Sequence, residues 1–75
     1  MRKSIDTYVK SIAHDNEQYI AEGGYESVAE YIISTAENGN GFIEFFDPDE
    51  LEANGGEPTE EQVEELKDYL NEYYK

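Results

Sequence analysis

Phe42-Ile43-Glu44-Phe45-Phe46 (FIEFF, residues 42–46) is the densest apolar run in this 75-residue chain. Whether it forms a strand or plugs a helical core decides the fold. Five residues are too few for periodicity to separate a buried strand from a buried linker or a helical turn. The expectation is an extended or irregular segment inserted into the core.

The flanks of this run read as helix on both sides. Asp47-Pro48-Asp49-Glu50 places an aspartate at an N-cap, proline at the first helical position and glutamate three residues after the cap. A short helix from Pro48 to about Ala53 follows, stopped by Asn54-Gly55-Gly56. Thr59-Glu60-Glu61-Gln62 is a second capping box, with Pro58 placed to staple onto Val63. Val63, Leu66, Leu70 and Tyr73 make the apolar seam of the last helix. Upstream, Asn38-Gly39-Asn40-Gly41 is a break, preceded by a helical pattern in Tyr25, Val28, Ala29, Ile32, Ile33 and Ala36. The start of that helix is either near Tyr25 or at the Ser27-x-x-Glu30 capping box. The first helix is capped by Ser4 and carries Ile5, Tyr8, Val9, Ile12, Ala13, Tyr19 and Ile20 on one face, ending at Gly23-Gly24. The fold class is therefore mainly α: one small acidic helical bundle over residues 1–75. It has three long helices, one short helix and a short apolar extended segment at 42–46.

Composition excludes several classes of function. With no cysteine there is neither a disulfide nor a thiolate metal site. No apolar run approaches the ~20 residues needed to span a bilayer, and the start MRKSIDTYVKSIAHD lacks the hydrophobic centre of a signal peptide. A cytoplasmic chain is expected. Catalytic residues are not expected either: there is one histidine, His14, and no nucleophile elbow or phosphate loop. We expect no cofactor and no enzyme activity.

Glu50, Glu52, Asn54, Gly55 and Glu61 fall at positions one, three, five, six and twelve of a loop that resembles an EF-hand. Glutamate stands where the family uses the shorter aspartate, and Glu57 and Pro58 stand at positions eight and nine. Two successive capping boxes explain the same residues without a metal, so no metal ligand is assigned.

Charge is the informative quantity. Nineteen acids against five bases give −14. Sixteen of those acids lie between Asp15 and Leu66, where there is no Lys or Arg. Such a chain is expected neither to bind nucleic acid directly, since phosphate affinity comes from Lys and Arg, nor to bind an anionic membrane. Glu22, Glu26, Glu30 and Glu37 are expected to form one stripe, and Glu57, Glu61, Glu65, Asp68 and Glu72 a second, flanked by Glu60 and Glu64. A globule of this length has a radius of gyration near ~11 Å and a diameter of about 28 Å. Duplex DNA of that length carries roughly seventeen charges. In size, charge and helical character the chain resembles the small acidic DNA-mimic inhibitors of phages and mobile elements, which block restriction, CRISPR or repair enzymes. That resemblance implies a non-enzymatic inhibitor whose partner is a basic nucleic-acid-binding protein or nuclease complex. The residues expected to bind are Glu26, Glu30, Glu37, Glu57, Glu60, Glu61, Glu64, Glu65, Asp68, Glu72, Tyr69 and Tyr73, with Tyr25, Tyr31 and Tyr74 adding contact area. The alternative is an interaction or immunity/antitoxin-type module, possible as a homodimer, whose acidity serves solubility, with a weak EF-hand-like calcium loop at Glu50–Glu61 as a third option. The immunity proteins of nuclease colicins are similar in size and charge, but their Asp-x-x-x-Tyr-Tyr-Pro-like segment has no counterpart here, where no proline follows Tyr73-Tyr74.

Self-repulsion at this net charge opposes the compact state and is screened by salt. The melting temperature is therefore expected to rise between low and moderate ionic strength, as followed by circular dichroism. A melting temperature indifferent to salt would contradict the reading.

Overall fold

A computed structural model of the chain describes residues 1–37 and 41–75. Among them there is no strand. The order is α1 (Ile5–Asp15), α2 (Glu17–Glu22), α3 (Val28–Glu37), a 3-10 turn (Gly41–Phe45), α4 (Pro48–Leu51), a second 3-10 turn (Glu52–Asn54) and α5 (Glu60–Tyr73). The expected break at Asn38-Gly39-Asn40 lies outside the described residues. The molecule is longer than a sphere of its mass, with extents of 39 × 21 × 20 Å and a radius of gyration of 12.3 Å.

The core is built where α3 and α5 lie side by side and antiparallel. The Ala29 N–H donates to the Tyr74 carbonyl (3.1 Å) at one end of the pair, and Lys67 Nζ meets Glu37 Oε1 (3.0 Å) at the other. Ala29, Ile32 and Ala36 recur at helical spacing on the buried side of α3, and Ala29 and Ile32 share one core cluster with Leu66 and Leu70 of α5. Ile5 and Val9 of α1 and Leu51 of α4 close the same cluster. Each fully buried aliphatic side chain of this kind contributes roughly 1.5–3 kcal/mol.

The run at 42–46 is a 3-10 turn through Phe45, with Phe46 just beyond it, which corrects the extended reading. Phe45 and Phe46 are both buried, at 3% and 6% exposure. Successive residues of a strand point to opposite faces, so a strand with one face on the core would have turned one of the two to solvent. The 3-10 turn also satisfies the backbone locally: the Phe46 N–H donates to the Ile43 carbonyl (3.2 Å). Gly41 allows the turn to begin, because a Cβ there would lie 2.9 Å from Ala36 Cα.

Arg2 fixes the plug from the N-terminal side. Its N–H donates to the Phe45 carbonyl (2.8 Å) and its Nη1 to the Glu44 carbonyl (2.9 Å). The guanidinium lies 4.4 Å from the centroid of the Tyr8 ring, which meets Phe45 edge-on at 5.1 Å.

The first helix differs from its reading in being divided. At Asn16 both the backbone N–H (3.0 Å) and the side-chain Nδ2 (2.9 Å) donate to the Ile12 carbonyl. A side chain competing for a backbone partner is a known cause of such interruptions. Beyond the division α2 buries nothing, and Tyr19, expected on the core face, is 69% exposed. The second helix starts at Ser27, whose Oγ accepts from the Glu30 N–H (3.0 Å), and not at Tyr25. The short helix and α5 begin at the expected capping boxes on Asp47 and Thr59. Gly55, at φ +74°, supplies the left-handed residue that ends the second 3-10 turn.

Phe45→Ala is expected to cost about 3–5 kcal/mol. The whole fold has only about 4–11 kcal/mol to lose at this length. Urea unfolding of the variant should show a midpoint lowered by about a third or more, with no folded baseline left where the parent stability lies at the low end of that range. A near-native midpoint would show that the plug is dispensable.

Candidate acidic interface on the last helix

The outward face of α5 gathers Glu60, Glu61, Glu64, Glu65, Asp68 and Glu72, all exposed. At about 100° per residue these six lie within an arc of about 140°, on the side opposite Leu66 and Leu70. From Glu60 to Glu72 the helix rises about 18 Å, so the face holds roughly one carboxylate per 3–3.5 Å.

Local helix energetics account for only part of this face. Glu60 and Glu61 are in the first turn, where the positive end of the helix dipole favours them. Asp68 and Glu72 lie toward the negative end, with no basic residue in the last turn. The repeated like charges at four-residue spacing (60–64, 61–65, 64–68, 68–72) each oppose the helix by about 0.2–0.5 kcal/mol. Lys67, the base of this helix, is drawn to the edge of the face. Its Nζ pairs with Glu37 (3.0 Å), approaches Glu64 (4.0 Å) and sits 5.8 Å from the Phe42 ring centroid. The Glu37 carboxylate holds the Lys67 ammonium above its usual range.

The other expected residues do not join this face. Glu22 lies on α2 and Glu26 precedes α3, so the expected Glu22–Glu37 stripe is broken. Glu30 is occupied at the helix start, where its Oε2 accepts the Glu26 N–H (2.8 Å). Glu37 faces Lys67, and Glu57 precedes α5. Tyr25 and Tyr31 are half-buried and pack edge-on against each other at 5.2 Å.

The tyrosines of the last helix divide by role. Tyr73, expected in the apolar seam, is 63% exposed and rests on Tyr69 at 4.7 Å. Tyr69 and Tyr74 instead pack on the core. Both hydroxyls donate to Asp6 Oδ1, Tyr69 at 2.7 Å. The carboxylate of Asp6 thus ties α1 to the end of α5, a role its sequence position did not signal. Tyr74 and then Tyr69, by donating to it, hold the Asp6 carboxyl below its usual range.

The calcium-like loop is spent on caps. Glu50 Oε2 accepts the Asp47 N–H (2.8 Å) while Oε1 meets the Met1 ammonium (2.8 Å). Asn54 Nδ2 donates to Gln62 Oε1 (3.2 Å), which also accepts from Thr59 N–H (2.8 Å). Among the described residues no three acidic or histidine side chains converge as a metal site would require, and no helix is long and apolar enough to cross a membrane.

Burial, and then the bond to Asp6, push the Tyr74 phenol up to about 12. A raised phenol adds stability that is present below its unfolded value near 10 and is lost as pH rises through the folded value. Asp6 works in the opposite sense, its contribution fading as pH falls through its lowered value. Ultraviolet titration of the seven tyrosines should show one ionising near pH 12. Tyr74→Phe should remove that step. A single uniform transition near ~10 would contradict the docking of Tyr74.

No family model, no curated protein and no solved structure matches this chain.

Proposed function

We propose that this protein is a non-enzymatic inhibitor that occupies the nucleic-acid-binding surface of a basic protein or nuclease complex, presenting the α5 face in place of a phosphate backbone. It is of the anti-restriction or anti-CRISPR kind that phages and mobile elements carry. One observation carries the reading: six exposed carboxylates spaced along about 18 Å of rigid helix. One strand of B-DNA presents a charge every ~3.4 Å, close to the spacing on this face. Four of the six carboxylates lie beyond the first turn, and of these only Glu64 has a base of the helix, Lys67, within 4.0 Å.

The mechanism follows from charge and rigidity. The field of a −14 body steers it toward a cationic cleft and speeds encounter at low salt. A helix held by a packed core presents its carboxylates on a backbone already ordered, and preorganisation of that kind favours binding. Tyr73, exposed at the flank of the face, offers amphipathic contact area of the sort enriched in interface centres. The competing reading, an interaction module acid only for solubility, draws on the same face being the solvent side of an amphipathic helix. It leaves Asp68 and Glu72 unexplained.

Titration against candidate basic nucleases and effector complexes, with DNA or RNA as competitor at several salt concentrations, tests the proposal. The expected result is competition that weakens steeply as salt rises. Replacing Glu61, Glu64, Glu65 and Asp68 together by their amides should abolish competition while raising the melting temperature, since four like-charge contacts are relieved. A variant that is stabilised and still competes at full strength would overturn the assignment.

A further inference from the structure

We propose that the groove leading to the N-terminal end of α5 is an anchoring pocket for an apolar side chain carried on a basic segment of the partner protein; this rests on the function proposed above and names where that partner is gripped. The groove has a volume of about 440 Å³, and Ile43, Phe46 and Leu51 form its apolar lining. Pockets that take ligand groups run from about 300 to 1,000 Å³. Glu44 and Asp47 stand in its walls, and Asp49, Glu52 and Glu57 follow on the same stretch of chain.

Charge selects the occupant. Arg2 is the cation in the lining, and its guanidinium is committed to the Glu44 carbonyl and the Tyr8 ring. Its Nε is wholly buried, out of reach of a ligand. An anionic ligand would therefore meet the Glu44 and Asp47 walls, with the one guanidinium of the lining turned to the Glu44 carbonyl and the Tyr8 ring. A neutral apolar ligand would gain nothing from those carboxylates. An aliphatic or aromatic side chain flanked by Lys or Arg uses both features of the groove.

Position links the groove to the acidic face. Gly56 lines one end, and a Cβ there would meet nothing within 4 Å, so that end is open. From Gly56 the chain passes directly to Glu57 and the start of α5, where Glu60 and Glu61 begin the carboxylate face. A partner laid along α5 thus reaches the groove without leaving the surface. Apolar anchors seated in pockets and ringed by polar contacts are where binding energy concentrates.

The test uses the whole nitrogen-15-labelled protein and two blocked pentapeptides, acetyl-Lys-Lys-Leu-Lys-Lys-amide and its counterpart with serine in place of leucine. Amide shifts are followed during titration at low and moderate salt. The leucine peptide should bind about tenfold more tightly, the yield of burying one aliphatic side chain. It should move the amides of Ile43, Leu51 and Gly56, and its advantage over serine should persist as salt weakens both. Ile43→Ser should erase the advantage, whereas Glu44→Gln, at an exposed position, should weaken both peptides alike. Equal binding of the two peptides to the unaltered protein would overturn the proposal, as would shifts confined to α5 or no binding of either peptide. Those outcomes remove the anchor alone; salt-dependent competition through α5 is a separate readout and would stand or fall by itself.

Discussion

The antiparallel contact between α3 and α5, closed at one end by the Phe45–Phe46 plug, is what the remainder of the molecule depends on. A chain this short buries only about 60% of the surface it exposes when unfolded, and this one must do so against a net charge of −14. Ala29 and Ile32 meeting Leu66 and Leu70 supply the dry centre. Neither helix could persist alone, since isolated helices of 10–14 residues are marginal in water. The seam also aims the molecule. By pinning Leu66 and Leu70 inward it fixes which residues of α5 face out, and those are the six carboxylates.

Two of the five cations serve joints of the fold, while Lys3, Lys10 and Lys75 are exposed. Arg2 fastens the 3-10 plug and covers Tyr8; Lys67 joins α5 to α3 through Glu37. Asp6 is an acid used in the same structural way, receiving two tyrosine hydroxyls. Along α5 itself the one base is Lys67, engaged with Glu37 and near Glu64, so six exposed carboxylates share one ammonium. On the proposed function this is the point of the arrangement: repulsion within α5 is tolerated in the free protein and relieved when a cationic cleft covers it. Exposed ion pairs such as Lys67–Glu37 contribute at most ~1 kcal/mol each, so the fold is held by its apolar seam and not by its charges.

Much of this was legible in the residues. The capping boxes at Asp47 and Thr59 located two helix starts because side-chain caps are local, and locality is what sequence reports best. The apolar spacing of Ile32, Ala36, Leu66 and Leu70 located the seam for the same reason. Three features were not legible. The plug at 42–46 is too short for periodicity to identify it, and its form shows only in the 3-10 turn over Gly41–Phe45 that buries Phe45 and Phe46 together. Asn16 divides the first helix by a hydrogen bond that an asparagine inside an apolar pattern permits but does not announce. The exchange of Tyr73 for Tyr74 as the core tyrosine is set by Asp6, more than sixty residues away in sequence. The acidic face was foreseen in its α5 half. It failed on Glu22 and Glu26, because charge spacing continues across a turn while a helix face does not.

The central claim is that a partner docks on the outward carboxylates of α5. Carbodiimide footprinting of those carboxylates, free and in complex, with modified positions read by mass spectrometry, tests it most directly. The account predicts that Glu61, Glu64, Glu65 and Asp68 become protected in the complex while Asp15, Glu17 and Glu22 react as in the free protein. Protection confined to α1 and α2, or no protection of any α5 carboxylate in a complex that forms, would contradict it.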